Sequence, residues 1–399
     1  MKSSWKSAKL GEFIEILPGF AFKSKDFLLN GVPVVKISNV TPPCVSLEKA
    51  TYVSEEIADQ HSDYILRYGD VLIAMTGSHV EQWSSAVGRV ARVRYNASSL
   101  LNQRVGKVVI RDTSKADLDF IYYFLIQDIV RKELATGATG SASQANISPD
   151  QIKNLEIPRL ELNTQKQISS ILSALDKKIA INKAINKNLE ATAQAIFQEL
   201  LSNEYDMCLI SDFIVINPSR KLRKGELARY IDMKQLSTSS CCPIGYSKKE
   251  FDGGARFING DTLLARITPC FENGKAAYID CLNDDEVAFG STEYIVLSPK
   301  IGVPSEFAYC LVRYDAFREY AKKNMNGSSG RQRISTDALE NYEIPAIKLD
   351  KLKSFGVVAH SLFNQIRNVF FENQRLAAIR DALLSKLMSG EIDVSQVKI

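Results

Sequence analysis

LNTQKQISSILSALDKKIAINKAINKNLEATAQAIFQELL, the stretch Leu162–Leu201, decides how the rest of the chain is read. Ile168, Leu172, Leu175, Ile179, Asn182, Asn186, Leu189, Ala193, Ile196 and Leu200 follow one another at alternating steps of four and three. That spacing is a heptad seam on one long helix. Adding 187 to each number gives Phe355, Ala359, Leu362, Ile366, Val369, Asn373, Leu376, Arg380, Leu383 and Leu387, a second seam in which only Arg380 is out of character. Each copy predicts a helix of roughly 35–40 residues, about 55–60 Å long. Each has one apolar stripe, so the natural partner of each stripe is the other copy. Leu175 and Leu362 are paired apolar seam positions, and Asn186 and Asn373 are paired polar ones; a polar seam residue weakens a coiled coil and fixes its register.

Working outward, the segments before the two helices also repeat. Leu10-Gly-Glu-Phe-Ile-Glu-Ile16 returns as Ile210-Ser-Asp-Phe-Ile-Val-Ile216, and Gly69-Asp70-Val-Leu-Ile-Ala returns as Gly260-Asp261-Thr-Leu-Leu-Ala. Ile147-Ser-Pro-Asp-Gln-Ile-Lys-Asn-Leu-Glu-Ile-Pro158 returns as Ile334-Ser-Thr-Asp-Ala-Leu-Glu-Asn-Tyr-Glu-Ile-Pro345. The offset falls from 200 to 191 to 187 and then stays constant through the helix. Globular loops accept insertions, whereas one extra residue in a long helix turns the rest of its seam by about 100°. The chain is therefore read as two tandem copies of a globule followed by a helix, packed like a homodimer with pseudo-twofold symmetry. A twofold axis makes the helices antiparallel and sets the globules at opposite ends of a rod.

The globules read as mixed α and β structure (α+β). Strands are expected at 32–40, 69–75, 87–95 and 105–111, and a helix at 118–134. The boundaries expected are 1–158 for the first globule, 159–203 for the first helix, 204–346 for the second globule, and 347–399 for the second helix and tail. Net charge is +4 over 399 residues, with seven cysteines and three histidines. The cysteines lack C-x-x-C spacing and fit reduced thiols in a cytoplasmic protein. No histidines stand at helical spacing, so no metal site is expected. The start of the chain has lysines but no apolar run of the kind a leader needs, and no stretch is apolar enough to cross a membrane.

Two similar heads on a stiff spacer suit a target with two sites at a fixed separation, and double-stranded DNA is such a target. Between Gln82 and Arg111 there are six Lys or Arg and no acid. Lys23 and Lys25, Arg92 and Arg94, and Arg220, Lys221 and Arg223 form basic clusters suited to phosphates. Alternation along a strand puts Arg92 and Arg94 on one face. The Gly-Ser stretch Gly140-Ser-Ala-Ser-Gln-Ala-Asn146 corresponds to Gly327-Ser-Ser-Gly-Arg-Gln-Arg333, and the two differ where they would read different bases. Gln144, Asn146, Arg331, Gln332 and Arg333 carry the side-chain types that bind base edges bidentately. Ser141 and Ser328 sit where backbone can approach a phosphate. The same residues are equally those of solvated loops and faces.

No chemistry of an independent enzyme is legible. There is no G-x-x-x-x-G-K-[ST] loop. Asn217-Pro218-Ser219 resembles the N-P-P-aromatic motif of adenine methyltransferases, but Ser219 and Arg220 break it. The acids Asp280, Asp284, Asp285 and Glu286 and the pair Cys241-Cys242 read as solvated and incidental. No cofactor is expected.

At these residues the chain resembles the DNA specificity (S) subunits of type I restriction-modification systems. Pro18-Gly-Phe-Ala-Phe-Lys-Ser-Lys-Asp26, with Gly31-Val-Pro-Val-Val-Lys-Ile-Ser-Asn39, resembles one opening of that family's target recognition domains. Ile216-Asn-Pro-Ser-Arg-Lys-Leu222 and Tyr230-Ile-Asp-Met233 resemble the other, and Leu101-Asn-Gln-Arg104 and Gly290-Ser-Thr-Glu-Tyr-Ile-Val-Leu297 match internal motifs. The resemblance implies two target recognition domains joined by antiparallel helices and a split DNA target. It also implies a non-catalytic role beside two methyltransferase subunits and restriction subunits. A competing reading is a coiled-coil adaptor that bridges two protein partners without DNA.

Overall fold

A computed structural model describes residues 5–141, 144–202, 206–328 and 330–394, with only the backbone described at Ser141. The chain divides into two compact units, Met1–Lys177 with Leu376–Ile399, and Lys178–Arg375. Each unit takes one head and part of each long helix. The fold is mixed α+β: two β-rich heads and two long helices packed together.

The helices run Leu162–Leu201 and Leu349–Ser389. Ile168, Leu172, Ile179, Ala193 and Leu200 are buried along the first seam, and Phe355, Ala359, Ile366 and Leu387 along the second. Leu175 and Leu362 are half-buried. Partner numbers rise on one helix as they fall on the other, so the pair is antiparallel. In the second unit Asn373 Nδ2 donates to the Ile179 carbonyl at 3.4 Å, Asn182 Nδ2 to Glu372 at 2.8 Å, and Asn186 Nδ2 to the Ile366 carbonyl at 3.1 Å. In the first unit Arg380, the seam's odd residue, pairs with Asp176 at 2.8 Å. No helix among the described residues is long and apolar enough to cross a membrane.

The first head is built on a six-stranded sheet and a four-stranded one. The former orders Ile14–Pro18, Val105–Ile110, Val71–Ala74, Val90–Arg92, Cys44–Val45 and Val40–Thr41. The central strand Val71–Ala74 is buried at every residue, as a continuous apolar run should be. Its counterpart Thr262–Ala265 is likewise buried throughout, in a four-stranded sheet of the second head ordered Ile214–Ile216, Tyr294–Pro299, Thr262–Ala265 and Ala276–Tyr278. Strand pairing follows the repeat: Ser7 faces Pro158 in one head, and Met207 faces Pro345 in the other.

Several expected elements are shorter than the patterns suggested. The strand at 87–95 is only Val90–Arg92. The helix at 118–134 is two helices, Leu118–Leu125 and Asp128–Thr136, parted at Gln127, whose backbone is extended and whose Nε2 donates to the Phe124 carbonyl. The second head breaks equivalently at Tyr314, between Glu306–Arg313 and Asp315–Lys323.

Asn186 and Asn373 make reciprocal bonds, since 186 to 373 and 179 to 366 are both steps of 187. Neither side-chain oxygen has a partner among the described residues. Replacing a buried, half-satisfied polar group by an apolar one of similar size is often stabilising. Asn186→Leu together with Asn373→Leu is expected to raise the unfolding midpoint, by about 1 kcal/mol per site, and to speed amide exchange at the seam because register is less specified. Thermal unfolding and hydrogen exchange of the double variant check both.

Candidate nucleic-acid interface

The Gly-Asp step before each central strand organises its head. Asp70 accepts from the Arg67 amide at 2.8 Å and from Lys107 Nζ at 2.7 Å. Asp261, 1% exposed, accepts from the Ile258 amide at 2.9 Å and from Arg220 Nη2 at 3.0 Å. Arg220 also donates to Ser298 Oγ at 3.0 Å. Arg220 therefore does for the buried Asp261 what Lys107 does for the half-buried Asp70, neutralising the carboxylate before the central strand. Its expected phosphate role is corrected on that ground, since removing it would leave Asp261 an uncompensated buried charge.

Arg92 is corrected for a similar reason. It is 5% exposed, its Nη1 lies 2.6 Å from Asp119, and its guanidinium stacks 3.8 Å over the Tyr122 ring. Burial pushes the Tyr122 hydroxyl up to about 12. Helix Leu118–Leu125 supplies the cover, which alternation along the strand could not foresee. Arg94 lies beyond the strand end, is exposed, and donates to Tyr68 Oη at 3.3 Å.

The Gly-Ser stretches, read as loops, form hairpins. In the first head Thr139–Ser141 pairs with Gln144–Asn146, which pairs in turn with Thr76–Gly77 beyond the central strand. In the second, Met325–Asn326 pairs with Arg333–Ile334, and Arg333 bridges Ile267. Gly140 (φ 116°) and Gly327 (φ 124°) hold conformations closed to most side chains, and a Cβ on Gly140 would meet the Gln144 carbonyl.

On these hairpins Gln144 is exposed. Asn146 is turned inward: its Oδ1 accepts from Thr76 Oγ1 at 2.7 Å and its Nδ2 donates to the Gln144 carbonyl at 3.3 Å. The Ser141 side chain lies outside the described residues. In the second head Ser328 and Arg331 are exposed, while Gln332 is half-buried with its backbone tied to Thr268 in both directions. Arg333 grips Glu293 with Nε at 3.1 and 3.0 Å and Nη2 at 2.7 Å. The hydrogen bond from Arg333 holds the Glu293 carboxyl below its usual range. Glu293 and Arg104 were missed as side chains, although both fall inside motifs quoted above.

Lys23 and Lys25 are exposed on the opening turn, as are Lys221 and Arg223 on the other, and none has an ion pair among the described residues. Behind the first turn Phe20 stacks on His61 at 3.8 Å. The acidic stretch near 284 holds no metal-ligating group among the described residues, and Glu286 pairs with Arg229 at 3.0 Å.

Each head is β-rich, with exposed basic side chains on its opening turn and a hairpin whose sequence differs between the copies, a plan carried twice in the chain. Residues 2–191 match the family described as type I restriction modification DNA specificity domain. The type I restriction enzyme MjaVIII specificity subunit of Methanocaldococcus jannaschii is 26% identical over 204 residues, 50% of this chain and 46% of that protein. The EcoAI specificity subunit of Escherichia coli is 36% identical over 228 residues, 52% of this chain and 38% of that protein. The chain matches less than half the length of each of these two relatives. An S subunit structure from M. genitalium superposes with a TM-score of 0.57 at 16% identity, covering 97% of this chain and 96% of that one, which is a likeness of fold. Residues 2–191 thus carry a type I restriction modification DNA specificity domain, and the chain is similar to the specificity (S) subunits of type I restriction enzymes.

Arg92→Ala is expected to cost roughly 2 kcal/mol, through lost packing, cation–π contact and ion pair. Arg94→Ala should stay within about 0.5 kcal/mol of the parent. Urea unfolding of the two variants distinguishes a structural arginine from a surface one.

Proposed function

We propose that this chain reads a bipartite DNA sequence, one half-site per head, and fixes where partner enzymes act. The first target recognition domain spans 1–158 and the second 204–346, with the helical segments 159–203 and 347–399 between and after them. The observation that carries this reading is the hairpin. Both heads build it on the same backbone plan, yet Gln144 stands exposed on one and Arg331 and Arg333 on the other, with Gln332 half-buried between them. A scaffold shared by two copies, with side chains that differ at its exposed edge, is what reading two different sequences needs.

Phosphate contacts position a duplex without choosing its bases. Lys23, Lys25, Arg94, Lys221 and Arg223 supply them, with the backbone near Ser141 and Ser328. Two modification subunits with adenine methyltransferase activity, and restriction subunits, are the partners that the similarity to these S subunits suggests. Ile181 and Ile185, one turn apart on the first long helix, are 57% and 39% exposed and give such a partner an apolar foothold.

Gel shifts with a methyltransferase partner at two salt concentrations test the reading. Sequence-selective retardation is expected, along with N6-methyladenine confined to a split motif. Lys23→Ala should weaken binding to every sequence alike and flatten the salt slope by roughly one unit. A chain that bridges protein partners but never retards duplex DNA would instead be an adaptor.

A further inference from the structure

Three backbone positions coincide between the heads. In the first, the Met75 amide donates to the Arg104 carbonyl at 3.0 Å and the Ile147 amide to the Met75 carbonyl at 2.9 Å. In the second, the Arg266 amide donates to the Glu293 carbonyl at 2.9 Å and the Ile334 amide to the Arg266 carbonyl at 3.0 Å. The strands alongside agree, since Val105 faces Ala74 and Tyr294 faces Ala265. Arg104 and Glu293 therefore occupy one position with opposite charge. Asn146 and Arg333, each one residue before the paired isoleucine, occupy another.

The Arg333–Glu293 geometry leaves a specific edge free. The carboxylate takes the side of the guanidinium formed by Nε and Nη2. The end formed by Nη1 and the second Nη2 hydrogen has no partner among the described residues, and the side chain is 44% exposed. That end is a planar two-donor fork, and guanine offers two acceptors, O6 and N7, in the major groove. A free arginine must give up rotamer freedom to dock, whereas one already gripped by a carboxylate has lost that freedom beforehand.

We infer that Arg333 reads a guanine in the half-site of the second head, and that Glu293 is the positioning residue that presents its free edge. This rests on the DNA-reading role proposed above. At the matching position the described residues of the first head hold no such device. Arg104 stands where the acid would be, and the amide of Asn146 is taken up by Thr76 and Gln144. At this hairpin position the acid-held guanidinium, and the guanine it demands, belong to one half of the target.

The test is selection of bound duplexes from a randomised pool by the full chain with its methyltransferase partner. The parent should enrich an invariant guanine in one half-site. Arg333→Ala should lower discrimination at that base pair roughly ten- to a hundredfold and leave the other half-site untouched. Glu293→Gln should lower it several-fold at the same pair with an unchanged unfolding midpoint. The exchange Glu293→Arg with Arg333→Glu restores the ion pair, and guanine preference should stay lost. Retained guanine preference in the exchanged protein, or equal weakening of all sequences by the single variants, would overturn the assignment. If the parent selects no sequence at all, the DNA-reading role falls with it; if it selects a half-site without guanine, only the Arg333 assignment does.

Discussion

Two seam asparagines, Asn186 buried and Asn373 half-buried, hold the register on which the paired helices depend. Asn186 and Asn373 each donate to a carbonyl of the opposite helix, and the two bonds are related by the repeat itself. An apolar seam of leucines and isoleucines is tolerant of sliding by a heptad, because one apolar contact resembles the next. A buried amide is not, since a slipped register leaves its N–H groups without an acceptor in a place water does not easily reach. The bonds add little stability, but they discriminate among packings of similar energy. The constant offset of 187 along the helices is the sequence's imprint of that demand.

The heads obey a looser rule. Their offsets drift, and the drift falls between strands whose pairing is unchanged. Ser7 with Pro158 and Met207 with Pro345 differ by 200 on one side and 187 on the other, yet the pairing is the same. Insertions have accumulated where backbone can be solvated and nowhere in the central strands.

This contrast explains what could be read from sequence. The seam, the duplication and the buried strands are local, periodic signals, and each is found where expected. Arg92 and Arg220 were misread because their partners are distant in sequence. Asp119 lies 27 residues beyond Arg92 and Asp261 lies 41 beyond Arg220. Nothing in a basic cluster tells a phosphate-binding arginine from one that neutralises an interior acid. A usable signal did exist for Asp261, because an aspartate repeated immediately before two buried strands needs a cation. Arg104 and Glu293 carried another, as opposite charges at matched positions of a repeat.

If the hairpin reads bases as proposed, it lets the protein change what it reads without changing how it folds. Its backbone is fixed by Gly140 and Gly327, whose conformations side chains resist, and by bonds from Ile147 and Ile334 to the neighbouring strand. None of these fixes the identity of residue 144, or of 331 and 333, whose side chains lie at the surface. Surface substitutions away from special features change stability by only about 0.5 kcal/mol, whereas each base contact they make or lose is worth about 1–3 kcal/mol of discrimination. At such positions a change of target specificity is cheap in folding energy and large in its effect on recognition. The Arg333–Glu293 pair is a partial exception, because on the proposed assignment a reader held by a second residue can change its preference fully only when both change.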